Sequence, residues 1–157
     1  HDLYGVEAVP LRYFNVYGPG QQGGDYAGVI SVFREQALAG ERITVEGDGE
    51  QTRDFVHVDD VVQANVLAAT TDAVGRAYNV GTGQSVSIRD LAALIRSTAD
   101  AESVITHTDG RAGDIDHSEA DLTRAREHLG YEPTITLQSG IRRLLEAAVT
   151  ARLSRLS

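Results

Sequence analysis

The sequence predicts an α/β protein folded as one compact unit. Short segments rich in β-branched and aromatic residues alternate along the chain with longer segments that show helical spacing of apolar residues. Apolar residues make up 41% of the 157 positions, which is enough for the hydrophobic core of one ordinary domain. No internal repeat is visible, and no linker is long enough to divide the chain.

The first half of the chain predicts three strands and one helix. Residues 6–14 have the composition of a strand, and a glycine-rich loop follows them. Residues 26–39 have apolar side chains at helical spacing and end before Gly40, a residue that favours a helix terminus. Residues 43–45 and 52–58 are typical of two further strands.

The second half continues the alternation. Asp59 and Asp60 favour a helix start, because carboxylates are stabilised at the positive end of the helix dipole. Ser87 with Asp90 resembles a capping box in which Asp replaces the usual Glu. The predicted strands are 77–80 and 104–108, and the predicted helices are 59–71, 88–99, 119–129 and 137–153.

Composition excludes several kinds of chemistry. The chain has no cysteine, so disulfides and thiolate sites are excluded, and all fourteen of its basic residues are arginine, so no Schiff-base lysine exists. The net charge of −9 makes nucleic acid and anionic membranes poor partners. No apolar run is long enough for a membrane helix and no signal-peptide pattern is visible, so we expect a cytoplasmic protein. The absence of methionine leads us to expect a piece or a processed product of a longer chain.

The first candidate site residue is Asn15, which follows the predicted strand 6–14 and precedes a Gly-Pro turn. Ligands of open α/β sheets bind beyond the carboxyl ends of strands, and the Asn15 amide could donate to a phosphate or sugar oxygen. An Asx turn at Asn15 is the alternative explanation.

Two arginines are the next candidates. Arg53 lies in a strand-like stretch, where it could bind a phosphate in bidentate fashion or form a structural pair with Asp54 or with an acid at the start of the next helix. Arg111 and Asp114 lie three residues apart in a polar loop and could together hold a diphosphate and a sugar hydroxyl. For the turn at 81–83, two glycines after a strand, we favour a structural role.

Four motifs together resemble one family. RYFNVYGP at 12–19, GDGEQTRDFVHVDD at 47–60, YNVGTG at 78–83 and RAGD at 111–114 occur in the order and spacing of the extended short-chain dehydrogenase/reductases. The greatest similarity is to nucleoside-diphosphate-sugar epimerases and dehydratases of the UDP-glucose 4-epimerase type. The resemblance covers residues from about 4 to 145.

The resemblance implies a domain organisation. Complete enzymes of this family have an N-terminal Rossmann domain, which holds NAD through a glycine fingerprint and carries a catalytic Tyr-x-x-x-Lys, and a smaller C-terminal domain that binds the nucleotide sugar. This sequence contains neither a G-x-x-G-x-x-G fingerprint nor any lysine. We therefore expect residues 1–157 to form the small C-terminal substrate-binding domain with the Rossmann domain largely absent and residues 1–20 as the last part of the NAD-binding domain. We expect no NAD bound by this chain alone.

The resemblance also implies roles for individual residues. Asn15 would contact the substrate near its diphosphate, and Asp114 would contact the ribose. Arg53 and Arg111 would bind the diphosphate. Three further positions complete the set: Val29 and Ile30 in the uridine pocket, and Phe14 beside the nicotinamide end of NAD. The expected partner is therefore a UDP-sugar or a related nucleotide sugar.

One position departs from the family. Relatives often carry an aromatic residue before the Gly-Asp-Gly turn, where it packs on the base, and here that residue is Glu46. A carboxylate cannot stack in this way, which leaves the choice of nucleobase open.

The sequence also bears on two other kinds of site, a metal site and a general base. The acidic and histidine residues between His107 and His117 fit no zinc or calcium template, so we expect no metal site. His57, between a strand and a helix, is interpreted as a boundary histidine rather than as a general base.

Three functions remain open. The first is the substrate-binding part of a 4-epimerase, and the second is the same part of a 4,6-dehydratase or UDP-glucuronate decarboxylase. The third is a binding module without turnover. Since an exposed strand edge invites pairing with another chain, we also expect the strand at 6–14 to lie at an edge and to allow a homodimer.

Overall fold

The computed structural model describes residues 1–21 and 28–153, which form seven short strands and five helices within those ranges. The strands are β1 (Leu11–Tyr13), β2 (Asn15–Tyr17), β3 (Ile43–Glu46), β4 (Thr52–His57), β5 (Tyr78–Val80), β6 (Ser85–Ser87) and β7 (Ile105–Thr108). The helices are α1 (Val29–Ala39), α2 (Val58–Ala69), α3 (Ile88–Thr98), α4 (Thr123–Leu129) and α5 (Leu137–Leu153). The α/β class predicted from the sequence is confirmed.

The strands pair in three small groups. β1 pairs with β5 in parallel, and β3 pairs with β7 in parallel. β4 lies between β2, to which it is parallel, and β6, to which it is antiparallel. Two hydrophobic clusters lie against these groups, one around Phe33 and Leu91 and the other around Tyr78 and Tyr131. No described helix is long and apolar enough to cross a membrane.

The strand predicted at 6–14 is wrong in its bounds. Residues 6–10 are not a strand, although the Pro10 carbonyl accepts a hydrogen bond from Tyr78 N at 2.9 Å. At Phe14, whose N–H donates to the Val80 carbonyl, the chain leaves β5 and continues as β2 beside β4. Asn15 therefore begins a second strand instead of following the end of the first.

Helix α1 begins later than predicted and ends as predicted. Gly28 is its N-cap, and residues 26–27 of the predicted helix lie outside the described residues. Gly40 ends the helix in the left-handed region, with φ of 69° and its N–H donating to the Ala37 carbonyl. The absence of a Cβ makes this conformation inexpensive for glycine.

The junction between β4 and α2 is fixed by side-chain hydrogen bonds. His57, 2% exposed, ends β4 and caps α2, because its Nδ1 accepts a hydrogen bond from Asp59 N at 3.2 Å. The buried Asp60 carboxylate accepts hydrogen bonds from the backbone N–H groups of Thr134 and Ile135, and this connects α2 to the loop before α5.

Tyr131 has a raised pKa, mainly because the side chain is buried and secondarily because the Asp60 carboxylate is near it. Tyr131 therefore stays neutral, and it donates to the Gly81 carbonyl at 2.8 Å.

The remaining elements differ from the predictions mainly at their ends. β6 was not predicted, because its residues follow Gly83 and Gln84 in a polar stretch that is typical of a loop. The cap at Ser87 is confirmed, since its Oγ accepts from Asp90 N at 3.0 Å. The helix predicted at 119–129 begins at Thr123 instead, after Asp121 accepts a hydrogen bond from its N–H. α5 has the predicted bounds.

Candidate functional site

One cavity of about 320 Å³ contains five of the predicted site residues. It is bounded by α1, by the ends of β3 and β4, and by the loop that follows β7. The lining residues are Asn15, Val29, Val32, Phe33, Thr44, Glu46, Gln51, Arg53, Ile88, Arg111 and Asp114. Two arginines from different parts of the chain, Arg53 and Arg111, thus line one cavity, as predicted.

Arg53 is held in place by internal partners. Its Nη2 donates to Asp114 Oδ1 at 2.5 Å, and its Nη1 donates to the carbonyls of Thr52 at 2.8 Å and Ile115 at 2.5 Å. The Arg53 side chain is 14% exposed. The structural pair suggested with Asp54 does not form, because consecutive residues of β4 point to opposite faces of the sheet.

Arg111 differs from Arg53 in its surroundings. It lies on the exposed loop after β7, and among the described residues its guanidinium has no hydrogen-bond or ion-pair partner. A cavity that presents one fixed and one unpaired guanidinium is suited to an anion with several oxygens, such as a diphosphate.

Asn15 and Val29 provide the remaining predicted contacts. The Asn15 amide donates one hydrogen bond to the Asp54 carbonyl at 3.0 Å, which orients the side chain toward β4 and leaves its oxygen and second N–H for a ligand. Val29 gives the cavity an apolar wall, together with Val32 and Phe33 on the same helix. Glu46 also lines the cavity, and its carboxylate has no hydrogen-bond or ion-pair partner among the described residues.

Two predicted residues lie elsewhere. Ile30 is 2% exposed and packs in the core cluster around Phe33, so it does not line the cavity although its neighbour Val29 does. Phe14 packs against the cluster around Tyr78 and is also outside the cavity. Two polar lining residues were not predicted from the sequence: Gln51, which precedes β4, and Thr44, which lies on β3.

The turn at 81–83 serves the fold. The buried Asp54 carboxylate accepts hydrogen bonds from Thr82 N, Thr82 Oγ1 and Gly83 N, and also from Ala120 N. A Cβ at Gly81 would lie 2.7 Å from Asp54 Oδ2, so glycine is required there. Because these N–H groups already donate to Asp54, the turn has a structural role, as favoured from the sequence.

The two histidines considered for a metal site contact a backbone carbonyl and a hydroxyl group. His107 Nδ1 lies 2.8 Å from the Gly47 carbonyl, and His117 Nδ1 lies 3.2 Å from Thr52 Oγ1. The first contact joins β7 to the turn after β3, and the second joins the loop after β7 to β4. In residues 1–21 and 28–153 no three acidic or histidine side chains are placed to share a metal ion.

Comparison with known proteins shows the family to which the chain belongs. Residues 1–81 match the model of the NAD dependent epimerase/dehydratase family. A UDP-glucose 4-epimerase of Mycolicibacterium smegmatis is 41% identical over 145 residues, which are 92% of this chain and 46% of that protein. A UDP-N-acetyl-alpha-D-glucosaminuronate decarboxylase of Bacillus cytotoxicus is 32% identical over 92% of this chain and 47% of its own length.

A solved structure agrees with the fold. The UDP-glucose 4-epimerase of Thermotoga maritima, determined with UDP-glucose, superposes with a TM-score of 0.92 at 37% identity, over 96% of this chain and 48% of that one. The fold and the matched sequence are those of an epimerase/dehydratase, and the chain belongs to the NAD dependent epimerase/dehydratase family. It spans about half the length of the curated relatives that it matches.

Proposed function

We propose that the cavity between α1, β3, β4 and the loop after β7 binds a nucleotide sugar. The observation that supports this proposal is that Arg53 and Arg111 line one cavity, although they lie 58 positions apart in the sequence. A diphosphate needs cationic donors, and a chain with a net charge of −9 offers few of them in suitable positions.

Each lining residue has a role in this proposal. Arg53 and Arg111 bind the diphosphate, and Asn15 donates to an oxygen close to it. Asp114 accepts from a ribose hydroxyl. Val29 packs on the nucleobase, which the resemblance suggests is uracil.

The complete enzyme is proposed to be an NAD-dependent UDP-sugar 4-epimerase that interconverts UDP-glucose and UDP-galactose. Relatives of this activity are similar over almost the whole chain. NAD would supply hydride transfer there, and this chain would supply the binding and orientation of the substrate.

A decarboxylase or a 4,6-dehydratase is the second candidate for the complete enzyme. The observation that favours the decarboxylase is the 32% identity to the Bacillus cytotoxicus protein over the same span. The products separate the candidates, since an epimerase conserves the mass of the sugar, a dehydratase removes water and a decarboxylase removes carbon dioxide. A binding module without turnover would give no product in any of these assays.

Titration calorimetry with UDP-glucose tests the binding proposal. Arg111→Ala removes the unpaired guanidinium and with it charge-assisted hydrogen bonds of about 1.5–3 kcal/mol, so we expect the Kd to rise about ten- to a hundredfold. Arg42→Ala, a change at an exposed arginine that does not line the cavity, is the matched control. Equal affinity in the Arg111→Ala and Arg42→Ala chains would contradict the proposal.

A further inference from the structure

Asp114 contacts both parts of the chain that supply the arginines. Its Oδ1 accepts from Arg53 Nη2 at 2.5 Å, across 61 positions of sequence. Its backbone N–H donates to the Arg111 carbonyl at 3.2 Å, which closes the turn 111–114. Gly113 in that turn has φ of 82°, a value that favours glycine. Asp114 therefore links the arginine on the buried strand to the arginine on the exposed loop.

The bonds made by Arg53 leave a defined part of its guanidinium for a ligand. The contacts to Thr52, Ile115 and Asp114 use three of the five N–H groups. The Nε–H and one Nη2–H have no described partner. Arg53 is thus oriented before any ligand arrives, which reduces the loss of side-chain entropy on binding.

The segment around Asp114 is attached to β4 as well. Thr52 N donates to the Asp116 carbonyl at 2.8 Å, and Ser118 N donates to the Thr52 carbonyl at 3.2 Å. On its other side, the loop begins at the end of β7, which pairs with β3 and contacts the turn after β3 through His107 and the Gly47 carbonyl. Residues 111–114 lie between these two attachments. Within the described residues, the Asp114 carboxylate is the side chain that connects this stretch to Arg53.

We propose that Asp114 is a positioning residue for the diphosphate: it fixes the separation of Arg53 and Arg111 so that both guanidinium groups reach one pyrophosphate unit. This inference rests on the proposed function and goes beyond the contact between Asp114 and ribose. It assigns to the carboxylate a role that does not require the nucleoside.

Inorganic pyrophosphate separates this role from the others, because it has no ribose. If Asp114 acted only on ribose, its removal would leave pyrophosphate affinity unchanged. If it acted only as a nearby negative charge, its removal would strengthen anion binding. Only a positioning role predicts that replacing a carboxylate by a neutral amide weakens the binding of an anion.

The experiment compares Asp114→Asn with Asp116→Asn at low ionic strength. Asp116→Asn makes the same change of charge in the same segment, and the Asp116 carboxylate has no hydrogen-bond partner among the described residues. Titrations use inorganic pyrophosphate and orthophosphate as probes, and circular dichroism verifies that both variants are folded. Asp114→Glu, which keeps the charge and lengthens the side chain, is the second variant.

We expect Asp114→Asn to raise the Kd for pyrophosphate about tenfold, the loss of roughly one charge-assisted hydrogen bond. Asp114→Glu should raise it by a smaller factor, and Asp116→Asn should leave it equal or lower. Orthophosphate, which is too small to join two guanidinium groups, should change by about threefold or less.

Unchanged or tighter pyrophosphate binding by Asp114→Asn would overturn the positioning role and leave the proposed function standing. An equal loss for pyrophosphate and orthophosphate would also overturn it. Failure of the unaltered chain to bind pyrophosphate, UDP and UDP-glucose would instead overturn the proposed function, and this inference with it.

Discussion

Asp54 joins three parts of the chain that are distant in sequence. It lies on β4, is 0% exposed, and accepts hydrogen bonds from the turn at 82–83 and from Ala120 N. Its neighbour Arg53 points to the opposite side and lines the cavity. Two adjacent residues of one strand thus have different roles: Asp54 stabilises the fold and Arg53 lines the cavity.

Asp54→Ala should destabilise the protein by about 3 kcal/mol or more, because it leaves several buried donors without an acceptor. Denaturation by urea, followed by circular dichroism, measures the change. Glu41→Ala, at an exposed acidic residue, is the control and should change the free energy of unfolding by less than about 0.5 kcal/mol. A loss below about 1 kcal/mol in the Asp54→Ala variant would contradict the structural role.

Single residues also show where sequence reasoning succeeds and where it fails. The types of Arg53, Arg111 and Asn15 and their motif context were sufficient to predict that they share a cavity. The partner of Arg53 was not predictable, because Asp114 is brought to it only by the path of the loop after β7. Ile30 was misplaced relative to the cavity because Val29 and Ile30 are consecutive on a helix and face different directions.

At the scale of elements, β1 is exposed along one edge. It pairs only with β5 within the described residues. Hydrogen bonds from Phe14 N to Val80 and from Tyr78 to the Pro10 carbonyl show that the even-numbered positions face β5. By the alternation of a parallel ladder, the backbone groups of Leu11 and Tyr13 face the open edge.

An open edge of this kind favours pairing with a second chain, so we expect concentration-dependent association of the 157-residue protein. The exposed side chain of Tyr13, 48% accessible, would be near such a contact. Tyr13→Lys places a charge at the edge and should raise the dimer dissociation constant about tenfold, as measured by sedimentation equilibrium. Sedimentation as a monomer at all concentrations up to the millimolar range would contradict this expectation.

The elements themselves were predictable to different degrees. α5, the C-terminal end of α1 and the N-terminal end of α3 follow from apolar spacing and from the caps at Gly40 and Ser87, which act locally. β1, β2 and β6 were misjudged because strands of three residues carry little periodicity, and their bounds depend on which neighbour they pair with. Phe14 illustrates this, since the chain changes partners there without any sequence signal.

For the whole molecule, we expect the binding of the substrate and the chemistry to be separable. The cavity has groups for a diphosphate, but the chain has no lysine and therefore lacks a Tyr/Lys pair. We therefore predict no epimerase, dehydratase or decarboxylase turnover by the purified 157-residue chain with UDP-sugars and added NAD. Chromatography of the reaction products measures this, with the Arg111→Ala chain from the same host as the control for contaminating enzymes. Turnover by the unaltered chain that is reduced in this control would contradict the prediction.

We propose that one cavity, lined by Arg53 and Arg111, receives the diphosphate of a nucleotide sugar. Titration of the isotope-labelled chain with UDP-glucose, followed by nuclear magnetic resonance of the arginine Nε–H and asparagine side-chain groups, tests this most directly. We expect saturable shifts at Arg53, Arg111 and Asn15, and no shift at Arg42 or Arg96, two arginines that do not line the cavity. Saturable binding that shifts groups elsewhere and leaves both Arg53 and Arg111 unchanged would contradict it.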